Sequence, residues 1–400
     1  MIDIACIGGG PASAFASLEI LRRGNEVEIF EKDRSIGMPI SCAGLISVSG
    51  FKKLGIKVPD DCIQHKVKGS IFYSPSGYIF EVKRKQDQAY VVDRAKFDKF
   101  LVDQVQEQGG KVHLNTKVTS LIKDKGKIAG LMLQEGKISR RIDTKVVIDG
   151  EGVKAKLIKE AGLQPPYRSR IVPAVQYDMN NLRIDEDFVE IYLGRKIAPG
   201  FFAYIIPTSD SSARVAVGSN FGKPKDYIEY FIKKHPIASK KLKDGTIYKR
   251  GGGWIILGGP IKKTYMAGFM GIGDAVGQVK ATTGGGVVFG GLCAKIAGKI
   301  AAEAITQNDF SENMLKNYQK EWQRLYLREL RLMKLMRLVI NSVPDIMLDE
   351  LFASIIKQKI PRIIEEFGDM DMQGNLIKRV LFSPKIIQIG IAILSGILIH

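Results

Sequence analysis

The sequence predicts an α/β fold in three parts: parallel strands alternating with helices, a second domain built on an antiparallel sheet, and a helical C-terminal extension. Three observations predict it. First, residues 2–30 have the pattern of a strand, a glycine turn, a helix and a second strand. Second, strand-like runs recur between residues 51 and 259, and third, helical spacing dominates from residue 284 onward. The 400 residues, 45% of them hydrophobic, are enough to bury a large core.

The N-terminal pattern is typical of a Rossmann-like βαβ unit that binds a dinucleotide. Gly8 and Gly10 permit a tight turn and a close approach of the backbone to a pyrophosphate, which the N-terminus of the next helix stabilises. Ser13 occupies the third position of the glycine fingerprint, where a small residue still allows close helix packing. Glu31 follows Gly10 by 21 residues and ends the second strand, so its carboxylate can accept hydrogen bonds from ribose hydroxyls.

The middle of the chain is rich in strands and contains one clear helix, which we expect from Arg94 to about Gln108. Alternating or apolar runs predict the strands, and their residue ranges are 67–73, 78–84, 111–148, 170–220 and 244–258.

A second glycine-rich segment predicts another cofactor loop. Residues 266–272 resemble a strand of small residues, Asp274 follows it, and a glycine triplet then opens a long helix. An Asp at such a strand end can accept from a sugar-like hydroxyl, and Gly285, Gly286 and Val287 would expose helix N–H groups toward an electron-rich ring. The alternative is an Asp that caps a helix beside a turn.

Three segments together resemble the geranylgeranyl reductase family of hydroxylase-type FAD flavoproteins. They are residues 8–11 (Gly-Gly-Gly-Pro), 90–98 (Tyr-Val-Val-Asp-Arg-Ala-Lys-Phe-Asp) and 273–275 (Gly-Asp-Ala), and the resemblance covers residues 1–305. It implies FAD as the cofactor. Its implied contacts are Glu31 with the adenosine ribose, Arg94 with the phosphate region, the backbone of Val118 on the adenine side, and Asp274 with the ribityl chain. In isolation, Arg94 would be a solvated residue at a helix start.

The resemblance also implies a loop beside the flavin ring at residues 41–45 (Ser-Cys-Ala-Gly-Leu). Relatives carry a Cys-Gly-Glu-Gly-Leu-like stretch there, whereas this chain is one residue shorter and lacks the Glu. Cys42 and Gly44 are therefore expected contacts of the cofactor. Cys42 is also a catalytic candidate as a proton donor, and the alternative is a thiol that only packs.

Residues 202–207 lie where the family has a Tyr-x-Trp-x-Phe-Pro pattern that lines a lipid pocket. Strand alternation places Phe202, Tyr204 and Ile206 on one face, so an apolar wall is retained although its residues differ. The alternative is an ordinary sheet core. Ala281 also replaces a Pro that relatives carry before the glycine triplet.

From these segments we predict the domain bounds. An FAD-binding domain comprises residues 1–50, 88–165 and 260–305, a substrate domain comprises residues 51–87 and 166–259, and a C-terminal helical region comprises residues 306–400.

The C-terminal region contains a basic amphipathic helix and a terminal apolar segment. One helix face carries Arg324, Arg328 and Arg331, and another carries Leu325, Leu332, Met336 and Val339. Such a helix can lie on an anionic membrane or pack against a core with a solvated basic side. Residues 386–399 are too short to span a bilayer, which needs about 20 residues, so we expect them against protein, a partner or a membrane interface.

Composition limits the partners and the compartment. The net charge of +18 favours an anionic membrane or a phosphorylated ligand, unless it only solvates the surface, and no nucleic-acid-binding motif accompanies it. The four cysteines form no CxxC pair and have no nearby His at metal spacing, which predicts no metal site and a reducing compartment. With no charged leader before the first strand, we expect a cytoplasmic protein, peripheral on the membrane face if it binds lipid.

The function implied by the resemblance is reduction of isoprenoid (geranylgeranyl) double bonds in membrane lipids or their precursors, by hydride transfer from reduced FAD. A ferredoxin or NAD(P)H could supply the electrons, since no second glycine fingerprint marks a nicotinamide domain. Two alternatives stay open: an FAD-dependent monooxygenase or halogenase, and a non-catalytic flavoprotein that carries electrons at a membrane.

Overall fold

The structure is a computed structural model that describes residues 1–38, 42–374 and 376. Its strands are β1 (Ile2–Ile7), β2 (Val27–Phe30), β3 (Leu45–Ser47), β4 (Ile63–Val67), β5 (Gly69–Tyr73), β6 (Ile79–Lys83), β7 (Ala89–Val92), β8 (Lys111–His113), β9 (Thr116–Asp124), β10 (Lys127–Glu135), β11 (Ile138–Asp149), β12 (Ile171–Asn180), β13 (Phe188–Tyr192), β14 (Ala203–Pro207), β15 (Ala213–Gly218), β16 (Thr246–Ile256), β17 (Tyr265–Met266) and β18 (Phe269–Gly271).

Its helices are α1 (Pro11–Arg22), α2 (Val48–Leu54), α3 (Arg94–Glu107), α4 (Lys156–Glu160), α5 (Pro224–Lys233), α6 (Ser239–Leu242), α7 (Val287–Gln307), α8 (Glu312–Ser342), α9 (Asp345–Lys357) and α10 (Ile360–Phe367). Three single 3-10 turns lie at Asp60–Cys62, Arg168–Arg170 and Gly273–Val276.

The first sheet has parallel strands at its centre, as the N-terminal pattern predicts. Its strand order is β17, β18, β11, β1, β2, β8, and β11 continues into an antiparallel extension with β10 and β9. In register, Ile7 lies opposite both Phe30 and Asp149, and Asp149 lies opposite Gly271. The carboxyl ends of these parallel strands therefore meet at one edge, where ligands bind in open α/β sheets.

One expected strand is a hairpin instead. Residues 266–272 were predicted as a single strand, but β17 and β18 are short antiparallel strands that pair Tyr265 with Met270. Gly268 makes the turn with a φ of +73°, a left-handed conformation that glycine adopts without strain. A continuous strand would require an extended backbone at this residue.

Helices α1 and α7 pack closely on this sheet because glycine lets their backbones approach. A Cβ at Gly298 would overlap the carbonyl of Ala16, and a Cβ at Gly291 would lie 2.7 Å from the Phe15 ring. Helix α8 joins the same hydrophobic core. Its fully buried contributions are Leu315, Tyr318, Trp322, Leu330 and Met333.

The predicted apolar face of α8 is buried only in part. Leu325, placed on the apolar face by the sequence pattern, is 44% exposed, whereas Trp322 is fully buried. The predicted basic face is confirmed as solvent-facing, with Arg324, Arg328 and Arg331 all exposed. Leu332 and Met336 of the same predicted face pack against this core, so the spacing identified the packed side but not its fully buried residues.

The second sheet has seven strands in the order β16, β12, β15, β14, β13, β5, β6. Helices α5 and α6 cover one face, and Ala213–Gly218 are all buried because the opposite face is also covered, in part by the loop at Ala43. A small sheet of β3, β7 and β4 lies between the two. The small sheet thus joins the second sheet to the core of the first.

In the part of the chain described, no helix is both long and apolar enough to cross a membrane. The terminal apolar segment at residues 386–399 lies outside the described residues.

Candidate functional site

The first glycine turn is shaped by its neighbours at one end and open at the other. Gly8 has a φ of +88°, and a Cβ there would lie 2.7 Å from the carbonyl oxygen of Gly150. Gly10 is the N-cap of α1, makes no side-chain capping bond, and a Cβ there would meet no atom within 4 Å. The helix N-terminus therefore presents backbone N–H groups to open space, which favours an anion.

Glu31 and Ser13 hold this turn in place. The Glu31 carboxylate accepts hydrogen bonds from the backbone N–H of Gly9 at 2.6 Å and of Asp33 at 2.8 Å. The buried Ser13 hydroxyl donates to the carbonyl of Ile7 at 3.0 Å, so it points at the strand end and not into the open turn. Glu31 is thus fixed beside the turn, where a ribose would follow a pyrophosphate.

Val118 lies on the strand that runs beside this end of the site. Two residues earlier on β9, the N–H of Thr116 donates to the carbonyl of Glu31 at 2.8 Å. A surface cavity of about 660 Å³ opens here. Its lining residues are Lys32, Arg34, Asn115, Lys117, Gln134 and Gly136.

Asp149 is a site residue that the sequence reasoning missed. Its carboxylate is fully buried at the end of β11; one oxygen accepts from the N–H of Glu151 at 3.0 Å, and the other has no hydrogen-bond partner. Burial and the nearby Glu151 carboxylate raise its pKa well above the usual range for Asp. An Asp-Gly pair directly after a buried parallel strand was the signal that could have identified it.

Asp274 lies on the 3-10 turn that follows β18, facing the start of α7. A Cβ at Gly286 would lie 2.6 Å from an Asp274 carboxylate oxygen, so only glycine fits there. Burial raises the pKa of Asp274, and the positive charge of Arg94 opposes that effect. Gly286 caps α7 without a side-chain bond, which leaves a second helix N-terminus uncapped beside a carboxylate.

The two loops meet each other. A Cβ at Gly273 would lie 3.0 Å from the Cβ of Ala12 in the first turn of α1, and a Cβ at Gly290 would lie 3.3 Å from the Cα of Gly273. The open ends of α1 and α7 therefore lie on either side of the Gly273 turn. This is the arrangement a long, two-part cofactor requires.

Helix α8 supports the second loop through a buried hydrogen-bond chain. The Tyr318 hydroxyl donates to the carbonyl of Gly271 at 2.9 Å and accepts from the Gln278 amide at 2.8 Å. The Gln278 oxygen accepts from the N–H of Gly273 at 2.9 Å. Trp322 donates its indole N–H to Thr264 at 3.3 Å. No sequence motif pointed to these residues.

Arg94 is not solvated, which excludes the alternative that it is an ordinary surface residue at a helix start. It begins α3, forms a two-bond pair with Asp98 at 2.8 Å, and its side chain is largely buried. It interacts electrostatically with Cys42 on one side and with Asp274 on the other. Arg94 thus links the two loops that the resemblance placed around the flavin.

The Cys42–Gly44 loop is held by an arginine of the second sheet, which sequence reasoning also missed. The buried Arg214 donates to the carbonyl of Ala43 at 2.5 Å and of Val92 at 3.2 Å. Gly44 has a φ of +72°, and a Cβ there would overlap the Val92 carbonyl, so its glycine is required by the backbone. Cys42 is a free, half-buried thiol, and Ser41 lies outside the described residues.

Two of the three expected wall residues, Tyr204 and Ile206, pack with Ala43 of this loop, whereas Phe202 packs with Val172 and Leu257. Phe202 and Ile206 are buried, and Phe201 stacks on Phe202 with ring centroids 4.0 Å apart. The Tyr204 hydroxyl donates to Gln176 at 3.1 Å; burial, helped by the nearby Cys42, raises the pKa of Tyr204. The wall therefore comes within electrostatic range of Cys42, and Cys42 of Arg94.

The chain fits an FAD molecule laid across this edge. The uncapped N-terminus of α1 and the open space at Gly10 suit a pyrophosphate, and the uncapped start of α7 suits a flavin ring. The unpaired Asp149 oxygen leaves a buried polar atom for a ligand or water to satisfy. Among the described residues, no group of three or more His, Cys, Asp or Glu side chains could hold a metal ion.

Comparison with known proteins agrees with this geometry. A family model for FAD-dependent oxidoreductases matches residues 3–167, and a model for the geranylgeranyl reductase catalytic domain matches residues 170–253. A digeranylgeranylglycerophospholipid reductase from Methanocaldococcus jannaschii is 32% identical over 90% of this chain and 94% of its own length. A second protein of that name, from Methanopyrus kandleri, is 28% identical over 94% of this chain and 96% of its own.

Solved structures show the same relationship. A geranylgeranyl bacteriochlorophyll reductase-like protein from Thermoplasma acidophilum superposes with a TM-score of 0.86 at 26% identity, covering 95% of each chain. A flavin-dependent brominase superposes with a TM-score of 0.71 over 95% of this chain and 98% of its own. Its 17% identity shows a shared fold alone. The chain described here therefore belongs to the geranylgeranyl reductase family of FAD-dependent oxidoreductases.

Proposed function

We propose that this chain reduces carbon–carbon double bonds in the geranylgeranyl chains of membrane lipids or of their precursors, using reduced FAD. The observation that carries the proposal is the apolar wall of Phe202, Tyr204 and Ile206, two of whose residues, Tyr204 and Ile206, pack with Ala43 of the Cys42–Gly44 loop. An isoprenoid chain offers only apolar surface to its binding site, so an aromatic wall beside the flavin loops suits it. The family membership supports the same substrate class.

Each cofactor-binding residue has a proposed task. Gly8 and Gly10 admit the pyrophosphate to the α1 N-terminus, Glu31 accepts from the adenosine ribose, and Asp274 accepts from the ribityl chain. Gly285, Gly286 and Val287 then present N–H groups to the flavin ring, while the strand of Val118 borders the adenine. Arg94, whose positive charge also acts on Asp274, contacts the phosphate region of FAD in this proposal.

The chemistry divides between cofactor and chain. Reduced FAD supplies a hydride when bound. The wall orients the alkene and excludes water, so that the two reacting partners meet in one geometry. Because an isolated alkene accepts a hydride poorly, a proton must reach its other carbon. We propose the half-buried Cys42 as a flavin contact and as the candidate that donates this proton.

Lipid mass provides the test. Purified full-length protein with FAD and a chemical reductant is incubated with geranylgeranyl phospholipids, and the extracted lipids are analysed by mass spectrometry. We expect masses that increase in steps of two hydrogens, and fewer steps with Phe202→Ala, which removes one ring of the wall. If FAD binds and is reduced while the lipid mass stays unchanged, the proposed substrate is wrong.

We propose the class of electron donor from the net charge of the chain. A net charge of +18 favours an acidic protein such as a ferredoxin, or a phosphorylated nicotinamide, over a neutral donor. Stopped-flow reduction of the bound flavin by reduced ferredoxin or by NADPH would separate the two. A ferredoxin rate that falls steeply with ionic strength is expected if the basic surface steers the donor.

We also propose that the exposed side of α8 and α9 meets an anionic membrane surface. Exposed leucine and isoleucine side chains lie there beside basic ones, and a groove of about 390 Å³ runs along α8. The groove is lined by Gln323, Leu327, Arg328, Arg331, Leu332 and Leu335. Apolar side chains flanked by arginines are typical of helices that lie in a lipid interface.

Vesicle flotation tests the membrane proposal. Replacing Arg324, Arg328 and Arg331 by Gln should lower the bound fraction on vesicles of anionic phospholipid and leave the small fraction on zwitterionic vesicles unchanged. A matched triple of exposed lysines on the β9–β11 hairpins, Lys123, Lys125 and Lys137, removes the same charge elsewhere. Equal losses for both triples would contradict a specific α8 surface.

A further inference from the structure

Arg337, a buried arginine of α8, lies between the second cofactor loop and the aromatic wall. It is only 4% exposed. Its guanidinium donates to the carbonyl of Ala281 at 3.2 Å and to the carbonyl of Thr282. The same group lies 4.9 Å from the ring centroid of Phe201 and 5.6 Å from that of Phe202. One side chain thus fixes the loop before Gly284 and stacks on the wall.

Within the part of the chain that the structure describes, Arg337 has no counterion. Among the residues that the structure describes, no carboxylate lies within ion-pair distance of it, and its polar contacts are two carbonyls and the amide of Asn341. The neighbouring cation of the loop differs, because Lys280 pairs with the fully buried Asp371 at 2.6 Å. Burial lowers the pKa of Arg337 to about 10, so it stays charged at neutral pH.

Burying a cation without a counterion is costly in proteins, and groups whose pKa is shifted by burial cluster at functional sites. The adjoining start of α7 adds to the positive potential, since its N-terminus is capped by Gly286 without a side chain. The loop from Ala281 to Gly286 therefore lies between two positive groups. An anion placed against this loop would be stabilised by both.

Flavin becomes such an anion when it takes up two electrons at neutral pH, whereas oxidised flavin has a neutral ring. We infer that Arg337 is a positioning residue that fixes residues 281–286 against the aromatic wall and favours reduced FAD over oxidised FAD at this loop. This inference rests on the proposed place of the flavin ring at Gly285 and Gly286, and it does not depend on the lipid substrate.

Redox-state affinities of full-length variants test it. Arg337→Met keeps the apolar length and removes the charge, and we expect it to weaken binding of reduced FAD about tenfold more than binding of oxidised FAD. That ratio corresponds to a two-electron midpoint potential more negative by about 30 mV. Arg337→Lys keeps the charge but loses the planar fork, so the potential should return most of the way to that of the unaltered protein.

Two further variants complete the test. Asp371→Asn frees the charge of Lys280 without changing shape, so the potential should move in the opposite direction, toward positive values. Lys320→Met removes an exposed charge from the same helix and should leave the potential unchanged.

The inference is overturned if Arg337→Met weakens both redox forms equally, because the side chain would then only pack. If that variant does not fold, Arg337→Gln replaces it, because its amide removes the charge and can still donate to the carbonyls of Ala281 and Thr282. An unchanged potential in Arg337→Gln would overturn the inference, and a shift toward negative values would support it. A shifted potential together with unreduced lipid would leave the inference standing and refute the proposed substrate.

Discussion

The two cofactor loops do similar work but are built differently. The first, at residues 8–10, is shaped within its own βαβ unit and by the neighbouring strand end: Glu31 holds Gly9, and Gly150 closes on Gly8. The second, at residues 273–286, is held largely from outside, by Tyr318 and other residues of the C-terminal region. A loop with local support can be recognised as a motif, whereas a loop with distant support needs the whole fold.

The largest effect should come from removing the distant support. Trp322→Ala would open a cavity in the core shared by α8 and the first sheet and remove the bond to Thr264, so we expect a loss of about 3–5 kcal/mol in the free energy of unfolding. Urea denaturation measures it. Leu325→Ala on the same helix, 44% exposed, should cost far less. Similar losses for both variants would mean that α8 is not part of this core.

A smaller effect is expected from changing the local support. Gly8→Ala meets both a left-handed φ and the Gly150 carbonyl, so we expect it to cost about 2–3 kcal/mol in the protein without cofactor. Gly10→Ala meets open space and should leave that stability unchanged while weakening FAD binding at least tenfold. Thermal unfolding and flavin fluorescence titration measure the two quantities. Unchanged FAD affinity in Gly10→Ala would show that the pyrophosphate lies elsewhere.

The smallest loss of stability is expected from removing one hydroxyl group of α8 that supports the second loop. Tyr318→Phe leaves the Gly271 carbonyl and the Gln278 amide without their partner, and we expect a cost of about 1–2 kcal/mol. Tyr326→Phe is the matched control, since the Tyr326 ring packs edge-on against Phe289. Equal stabilities of the two variants, measured by urea denaturation, would show that the hydrogen-bond chain to the second loop adds nothing.

The sequence predicted the structure correctly where the residues that serve the site also determine the local backbone conformation. The turn at Gly8, the helix from Arg94 and the strand that carries Tyr204 follow from glycine placement and periodicity, and all three are present. It failed at residues 266–272, where one left-handed glycine converts an apolar run into a hairpin.

Other residues of the site could not be found in this way. Arg214 and Arg337 each act by holding carbonyls of segments more than 50 positions away in the chain. Backbone carbonyls carry no side-chain signature, so no spacing rule reports such contacts. Asp149 was visible as an Asp-Gly pair, but its buried, unpaired oxygen becomes evident only when the three strand ends are assembled.

The reach of Arg214 from the second sheet to Ala43 and Val92 also limits modular engineering. If the second sheet were transplanted from one family member to another, the Arg214 guanidinium would either meet a different loop or be lost from the protein. In either case a buried cation loses the carbonyls it was matched to, and the loop bearing Cys42 loses its anchor. Chimaeras that aim to change lipid preference should therefore exchange the sheet together with residues 42–44 and 92 as one inherited unit.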